Sequence, residues 1–76
     1  MYGYNAYQDA DNPNNNIRQV LPTGASANDF GLVADACTAD PNCKGFNSNG
    51  FMKSLVAGLT FSGGSCVYAK KISNYF

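Results

Sequence analysis

An apolar stripe with helical spacing runs through the middle of the chain: Phe30, Val33, Ala34 and Cys37. Residues at these intervals lie on one face of an α-helix, so the stripe faces a core. Ser26 precedes the stripe as a possible N-cap. Pro41 ends the helix, because the residue before a proline disfavours helical backbone angles. The pattern predicts one helix over about residues 27–39.

The rest of the chain carries strand and turn patterns. Five segments read as strands, over residues 1–8, 17–21, 43–48, 51–57 and 65–72. Asn49-Gly50 predicts a tight hairpin between the third and fourth strands, and Gly63-Gly64 predicts a turn into the last. We therefore expect a single α+β domain over residues 1–76, with one helix packed on about five short antiparallel strands.

The polar run DADNPNNN, over residues 9–16, is predicted to be a loop. Its composition superficially resembles an acidic calcium loop. However, Pro13 takes the fifth position, and Val20 stands at the twelfth, where a calcium loop needs Glu. We favour a solvated loop and expect neither a metal nor another cofactor.

Composition narrows the functional classes. The chain has 76 residues, of which 45% are hydrophobic and 13% charged, with a formal net charge of zero. A globular fold is expected, near the size at which a hydrophobic core alone is barely sufficient. The basic residues do not form the cluster that nucleic-acid binding requires, and the apolar runs are too short to insert into a membrane.

Cys37 and Cys43 lie six positions apart, on either side of a helix-stopping Asp40-Pro41. This spacing suits a disulfide between the end of the helix and the start of a strand; the alternative is three reduced, buried thiols. Cys66 then has no partner, and is either buried or used between chains. A disulfide indicates an extracellular, secreted domain. Because the first residues are not an apolar signal segment, we expect that a signal has been removed or that the domain comes from a longer chain.

Catalysis is not expected from this set of residues. The chain contains no histidine, so the commonest general base and the usual activator of Ser or Cys nucleophiles are both missing. Three cysteines without histidine also do not supply a zinc site. We therefore predict that the protein is not an enzyme.

Tyrosine and asparagine offer a different chemistry. Aromatic rings stack on the flat faces of sugars, and amides hydrogen-bond to hydroxyl groups. The residues predicted to contact a ligand are Tyr4, Tyr7, Asn47, Asn49, Lys53 and Tyr68. The competing interpretation is that the tyrosines complete the core and that Lys53 is simply solvated.

The run ADACTADPNCKGFNSNGFMK resembles the core of a PAN/apple domain, in which a helix ends in Cys, a turn follows and a strand opens with Cys-x-x-Phe. DADNPNNNI and GGSCVYAKK are similar to the family's polar loop and its last strand. The resemblance implies a curved antiparallel sheet packed across one helix, extracellular placement, and binding of proteins or carbohydrates. The chain departs from the family at Val33 and Met52, where many members carry a second cysteine pair.

Two functions follow as hypotheses. The first is a non-catalytic, lectin-like extracellular recognition module for a glycan or glycoprotein, with tyrosines as anchors. The second is a structural subunit or repeat of an extracellular polymer or fibre, which associates with copies of itself through Cys66, exposed tyrosines or an open sheet edge. Low net charge favours such association, because little electrostatic repulsion opposes it.

Overall fold

The computed structural model describes residues 3–12, 14–22 and 26–71. Its elements are β1 (Tyr4–Asp11), β2 (Asn16–Gln19), a short 3₁₀ turn (Ala27–Asp29), α1 (Phe30–Ala39), β3 (Gly45–Asn47), β4 (Phe51–Lys53) and β5 (Thr60–Lys70). The strands form one sheet in the order β1-β5-β3-β4-β2, and each pairing is antiparallel. The predicted α+β fold, one helix on a five-stranded antiparallel sheet, is confirmed.

The helix begins and ends where the sequence predicts, although its first turn is 3₁₀ rather than α. The Ser26 hydroxyl accepts a hydrogen bond from the Asn28 amide (3.2 Å), which satisfies one of the amides that a helix start leaves open. At the other end, the Asp40 amide donates to the Cys37 carbonyl (3.1 Å). The Asp40 carboxylate then accepts from the Asn42 amide (2.9 Å) and shapes the turn around Pro41.

The core lies between α1 and one face of the sheet, called here the helix face. Phe46 is at its centre, fully buried and placed by the ladder opposite Met52 on one side and Tyr68 on the other. The stripe predicted from the helical spacing is buried against it: Phe30, Val33, Ala34 and Cys37. A disulfide joins Cys37 to Cys43, as the spacing predicts, and closes the end of the helix onto the sheet.

The hairpin between β3 and β4 turns at Gly50, as predicted from Asn49-Gly50. Gly50 has a φ of +87°, which a side chain rarely adopts. A Cβ there would also lie 2.3 Å from the Leu21 carbonyl oxygen. The chain that follows β2 therefore packs directly on this turn, and the Val20 amide donates to the Gly50 carbonyl (2.7 Å).

Three predicted boundaries are wrong. The polar segment starts later than expected, because residues 9–11 continue β1. The fourth strand ends at Lys53 rather than Ala57, and the chain then leaves the sheet. Gly63-Gly64 is not a turn between strands: both glycines lie inside β5, where the pairing with β1 is interrupted by a bulge between Gln8 and Ala10.

The bulge explains why two glycines are compatible with a long strand. Asp9 and Gly64 both have positive φ, 54° and 83°, and Asp and Gly tolerate this region better than most residues. The Asp9 carboxylate accepts a hydrogen bond from the Gly64 amide (3.0 Å). The two irregular residues thus stabilise one another and let β1 and β5 continue past the bulge.

Candidate functional site

Two of the predicted ligand contacts, Tyr4 and Asn47, are internal. Tyr4 is buried in the core; its hydroxyl donates to the Ala34 carbonyl and is also within 3.0 Å of the Thr38 hydroxyl. Asn47 is buried on the opposite side of the sheet, and its side-chain oxygen accepts from the amides of Asn49 (3.1 Å) and Phe51 (3.0 Å). Both residues hold the fold together and are not available to a ligand.

The prediction for Lys53 as a ligand contact, and its alternative as a solvated charge, are both wrong. The side chain is only 1% exposed. Its ammonium donates to the Asn12 carbonyl and the Asn16 side-chain oxygen, and to the Asn14 carbonyl at 3.4 Å. The lysine is therefore enclosed by the polar segment that was predicted to be a solvated loop.

The other three predicted contacts differ in accessibility. Tyr68 is half-buried: its ring stacks on Phe46 at 4.9 Å and meets Phe30 edge-on at 6.0 Å, so it belongs to the core. Asn49 is half-buried in the β3–β4 turn. Tyr7 is 45% exposed. Of the six residues, Tyr7 presents the most accessible aromatic surface.

Tyr7 lies on a surface that the sequence analysis did not anticipate. β1 residues 5–9 are exposed on both faces of the sheet, and residues 5–11 pair with residues 60–69 of β5, with an interruption at the bulge. We call this pair of segments, residues 5–11 of β1 and 60–69 of β5, the ribbon. It carries Phe61, which is 85% exposed, opposite Ala10. Tyr7 and Phe61 thus place two exposed aromatic side chains on the ribbon, and aromatic residues are enriched in protein interfaces.

The outer edge of the ribbon is formed by β1, which is an end strand of the sheet. The Lys71 amide donates to the Gly3 carbonyl (2.9 Å). Since hydrogen-bonded and non-hydrogen-bonded pairs alternate in an antiparallel ladder, this contact fixes the direction of the peptide groups along β1. The amides and carbonyls of Tyr4, Ala6 and Gln8 point away from β5. Among the residues that the structure describes, no strand pairs with this edge.

Cys66 sits beside the ribbon bulge. It pairs with Gln8, its amide donates to the Ser48 hydroxyl (3.0 Å), and its thiol is free and partly accessible. Cys66 is neither fully buried nor fully exposed, so the structure does not decide between the two predicted alternatives, a buried thiol and a thiol used between chains.

The remaining unusual feature is a polar cluster around Lys53 on the face of the sheet opposite the helix, called here the back face. The cluster consists of Lys53, Asp11, Asn12, Asn14, Asn16 and Asn47. The Asp11 carboxylate lies 3.9 Å from the Lys53 nitrogen and accepts from Asn47 (3.2 Å). Burial lowers the pKa of Lys53, and the nearby Asp11 charge opposes this only in part.

The segment after β4 covers this cluster. The Asn12 side-chain amide donates to the carbonyls of Leu55 (3.2 Å) and Ala57 (3.1 Å). The same segment packs over Gly45, where a Cβ would lie only 2.7 Å from the Val56 side chain. Gly45 therefore permits the covering segment to approach the sheet, and this approach excludes solvent from Lys53.

Metal-binding clusters and membrane-spanning helices are both absent from the described part of the chain. No group of three or more His, Cys, Asp or Glu residues is arranged to hold a metal ion. No helix there has the length and apolar character needed to span a membrane.

No protein-family description, curated protein or solved structure matches this chain.

Proposed function

We propose that this chain is a non-catalytic extracellular recognition module that binds a protein partner, such as a glycoprotein, along the outer edge of β1. The supporting observation is the open edge of β1 over Tyr4, Ala6 and Gln8, next to the exposed Tyr7. An extended peptide can add to such an edge by main-chain hydrogen bonds, while flanking side chains give selectivity.

The extracellular part of the proposal rests on the Cys37–Cys43 disulfide, since disulfides persist in oxidising compartments. The resemblance to PAN/apple domains implies the same placement and a binding role. The polypeptide part of a glycoprotein is favoured over its glycan, because Tyr4, Asn47 and Lys53 are internal and leave few of the expected sugar contacts at the surface.

A proline substitution at the edge tests the proposal. Ala6→Pro removes an outward amide without removing a bond to β5, and proline is accepted in edge strands in this orientation. Ala6→Thr is the matched control, because it keeps the amide and suits a strand. The probe is a displayed library of random peptides, selected on the immobilised wild-type protein.

Selected peptides should bind Ala6→Pro about tenfold more weakly than wild type, since at least one main-chain hydrogen bond and its neighbours are lost. They should bind Ala6→Thr nearly as well as wild type. A glycan array gives the opposing outcome: sugar binding that Tyr7→Ala abolishes and Ala6→Pro does not would replace the strand-addition proposal with a lectin function.

A structural subunit is the second candidate, favoured by the coincidence of the free Cys66 thiol and the open β1 edge on one ribbon. The same edge could pair with β1 of another copy. Sedimentation of the wild-type protein under reducing conditions reports this pairing without interference from cross-linking. Dimers or longer species that Ala6→Pro disperses would support a self-assembling subunit, whereas a monomer at all concentrations would exclude it.

A further inference from the structure

We propose that Lys53 and Asn16 form an intramolecular isopeptide bond, with Asp11 as the proton-transfer residue. The three side chains come from three strands: Asp11 ends β1, Asn16 begins β2 and Lys53 ends β4. They meet at one end of the back face, where Asp11 is also the last residue of the ribbon. The inference is independent of the binding function proposed above.

The register brings the two reacting side chains together. Asn16 and Lys53 are directly opposite each other in the β2–β4 ladder, so their side chains leave the sheet on the same face. The Lys53 nitrogen contacts the Asn16 side-chain oxygen directly. The amide carbon is bonded to that oxygen, so the reaction requires the Asn16 amide to rotate until the hydrogen bond is replaced by approach of the lysine nitrogen to the carbon.

Burial makes the charged form of Lys53 costly, although its ammonium donates to oxygens of Asn12, Asn14 and Asn16. A buried ammonium ion normally needs a close, well-aligned carboxylate. Here the nearest Asp11 oxygen is 3.9 Å away, and that oxygen already accepts from the Asn12 amide (2.8 Å) and from Asn47 (3.2 Å). Burial also lowers the pKa of Lys53. A lysine becomes a nucleophile when it loses its proton in such a site.

The chemistry balances without any co-reactant. The Lys53 ammonium gives one proton to the Asp11 carboxylate, and the neutral amine attacks the side-chain carbon of Asn16. A second proton passes from the former lysine nitrogen, by way of Asp11, to the amide nitrogen of Asn16. The bond between that nitrogen and the carbon then breaks and ammonia leaves. The product is a secondary amide that carries the third lysine proton, and Asp11 keeps the first.

Such a bond would suit the architecture. β2 is a short end strand that pairs with β4 at the edge of the described sheet, and Lys53 is one of the anchors of the polar segment before it. A covalent link would fix both, in addition to the disulfide between the end of α1 and the residue that precedes Lys44 and β3. Domains of this size commonly depend on covalent staples.

Mass spectrometry of the intact wild-type protein tests the proposal. The folded chain should be one molecule of ammonia lighter than its sequence mass corrected for one disulfide. Trypsin should then release residues 1–18 joined to residues 45–70, with cleavage after Lys53 blocked, because these are the fragments that carry Asn16 and Lys53. Cys37 and Cys43 both fall in the separate fragment 19–44, so the disulfide does not confuse the assignment.

Variants separate the roles of the three residues. Asn16→Ala and Lys53→Arg should have their full sequence masses. Asp11→Asn, which is nearly isosteric but cannot relay the proton, should remain largely unlinked over the time in which wild type is complete. Asn14→Ala is the matched control: it should still lose ammonia, because Asn14 contacts Lys53 through its main-chain carbonyl.

Several results would overturn the proposal. One is a folded wild-type protein that keeps its full mass after prolonged incubation at neutral pH, which would make Lys53 a hydrogen-bonded clamp only. A second is an ammonia loss that maps to Asn49-Gly50, where cyclisation of asparagine on its own backbone releases ammonia too. A third is linkage in Asp11→Asn at the wild-type rate, which would remove Asp11 from the reaction.

Discussion

Replacing Phe46 with alanine tests the arrangement of the whole core. Phe46 has no exposed surface, and its ring touches two others: it stacks on Tyr68 at 4.9 Å and meets Tyr4 edge-on at 5.2 Å. Phe46→Ala would leave a cavity bounded by rings that are fixed by strand pairing, and should cost about 3–5 kcal/mol of unfolding free energy. A folded chain of 76 residues has a total of about 4–11 kcal/mol.

The expected loss is therefore a large part of the stability of the domain. For this size, each kcal/mol corresponds to a change of about 4–8 °C in melting temperature, so the variant should melt about 12–40 °C lower than wild type. Thermal unfolding followed by circular dichroism measures the shift, and urea unfolding gives the free energy independently. Both are done with the disulfide intact, so that the unfolded states of the two proteins are comparable.

Leu32→Ala is the matched control. Leu32 lies on the same helix-and-sheet unit but is 57% exposed on the outer side of α1, so its truncation should change stability by no more than about 0.5 kcal/mol. A Phe46→Ala variant that melts within a few degrees of wild type would refute the central position of Phe46 and, with it, the register of β3. Equal losses for the two variants would refute the orientation of α1.

Three further outcomes are expected. Tyr4→Phe should cost about 0.5–1.5 kcal/mol of unfolding free energy, because it removes the hydroxyl that is hydrogen-bonded to Ala34 and Thr38. Burial raises the pKa of Tyr4 above 10.0, so the stability that this group gives the wild-type protein is present below pH 10.0 and falls as pH rises through the folded pKa. Unfolding measured over a series of high pH values should show this loss in the wild-type protein and not in the variant. Lys53→Met should cost about 1–3 kcal/mol for the hydrogen bonds to Asn12, Asn14 and Asn16 alone, and more where the proposed bond to Asn16 has formed. It should also speed amide exchange over residues 14–19, whereas Lys44→Met, at an exposed position, should leave stability and exchange unchanged. Thiol titration of the denatured, unreduced protein should find one thiol, that of Cys66, and a count of three thiols before reduction would contradict the disulfide. Reduction of Cys37–Cys43 should lower the free energy of unfolding by about 2–2.5 kcal/mol.

The helix and the core were predictable because short-range rules decide them. The spacing of Phe30, Val33 and Cys37 has one low-energy solution, a helix with an apolar face, and Pro41 can only stop it. The hairpin between β3 and β4 was predictable from Asn49-Gly50, but its register was not. A two-residue turn at Asn49-Gly50 would place Phe46 opposite Lys53, whereas the observed turn is one residue longer and places Phe46 opposite Met52. These signals lie within a few residues of the structure that they determine.

The ribbon was missed because Gly63-Gly64 has two physical meanings. Paired glycines usually mark a turn, but they also accommodate a bulge when a residue with positive φ stands across the ladder. Asp9 is that residue here, and it is more than fifty positions away in sequence, with its carboxylate on the Gly64 amide. A local pattern cannot distinguish the two cases, and the choice decides whether β1 has a long open edge.

Lys53 shows the same limit for the candidate site. Alternation along β4 puts Met52 on the helix face and Lys53 on the back face, which in a two-layer fold is ordinarily in water. It is buried because the segment after β4 folds back across Gly45, and because the asparagine-rich segment supplies main-chain oxygens that it can reach. The second condition is not local, because the asparagine-rich segment lies 39–41 positions away from Lys53 in sequence. The run DADNPNNN resembled a cation-binding loop for a physical reason: its oxygens surround the side-chain nitrogen of the protein's own lysine.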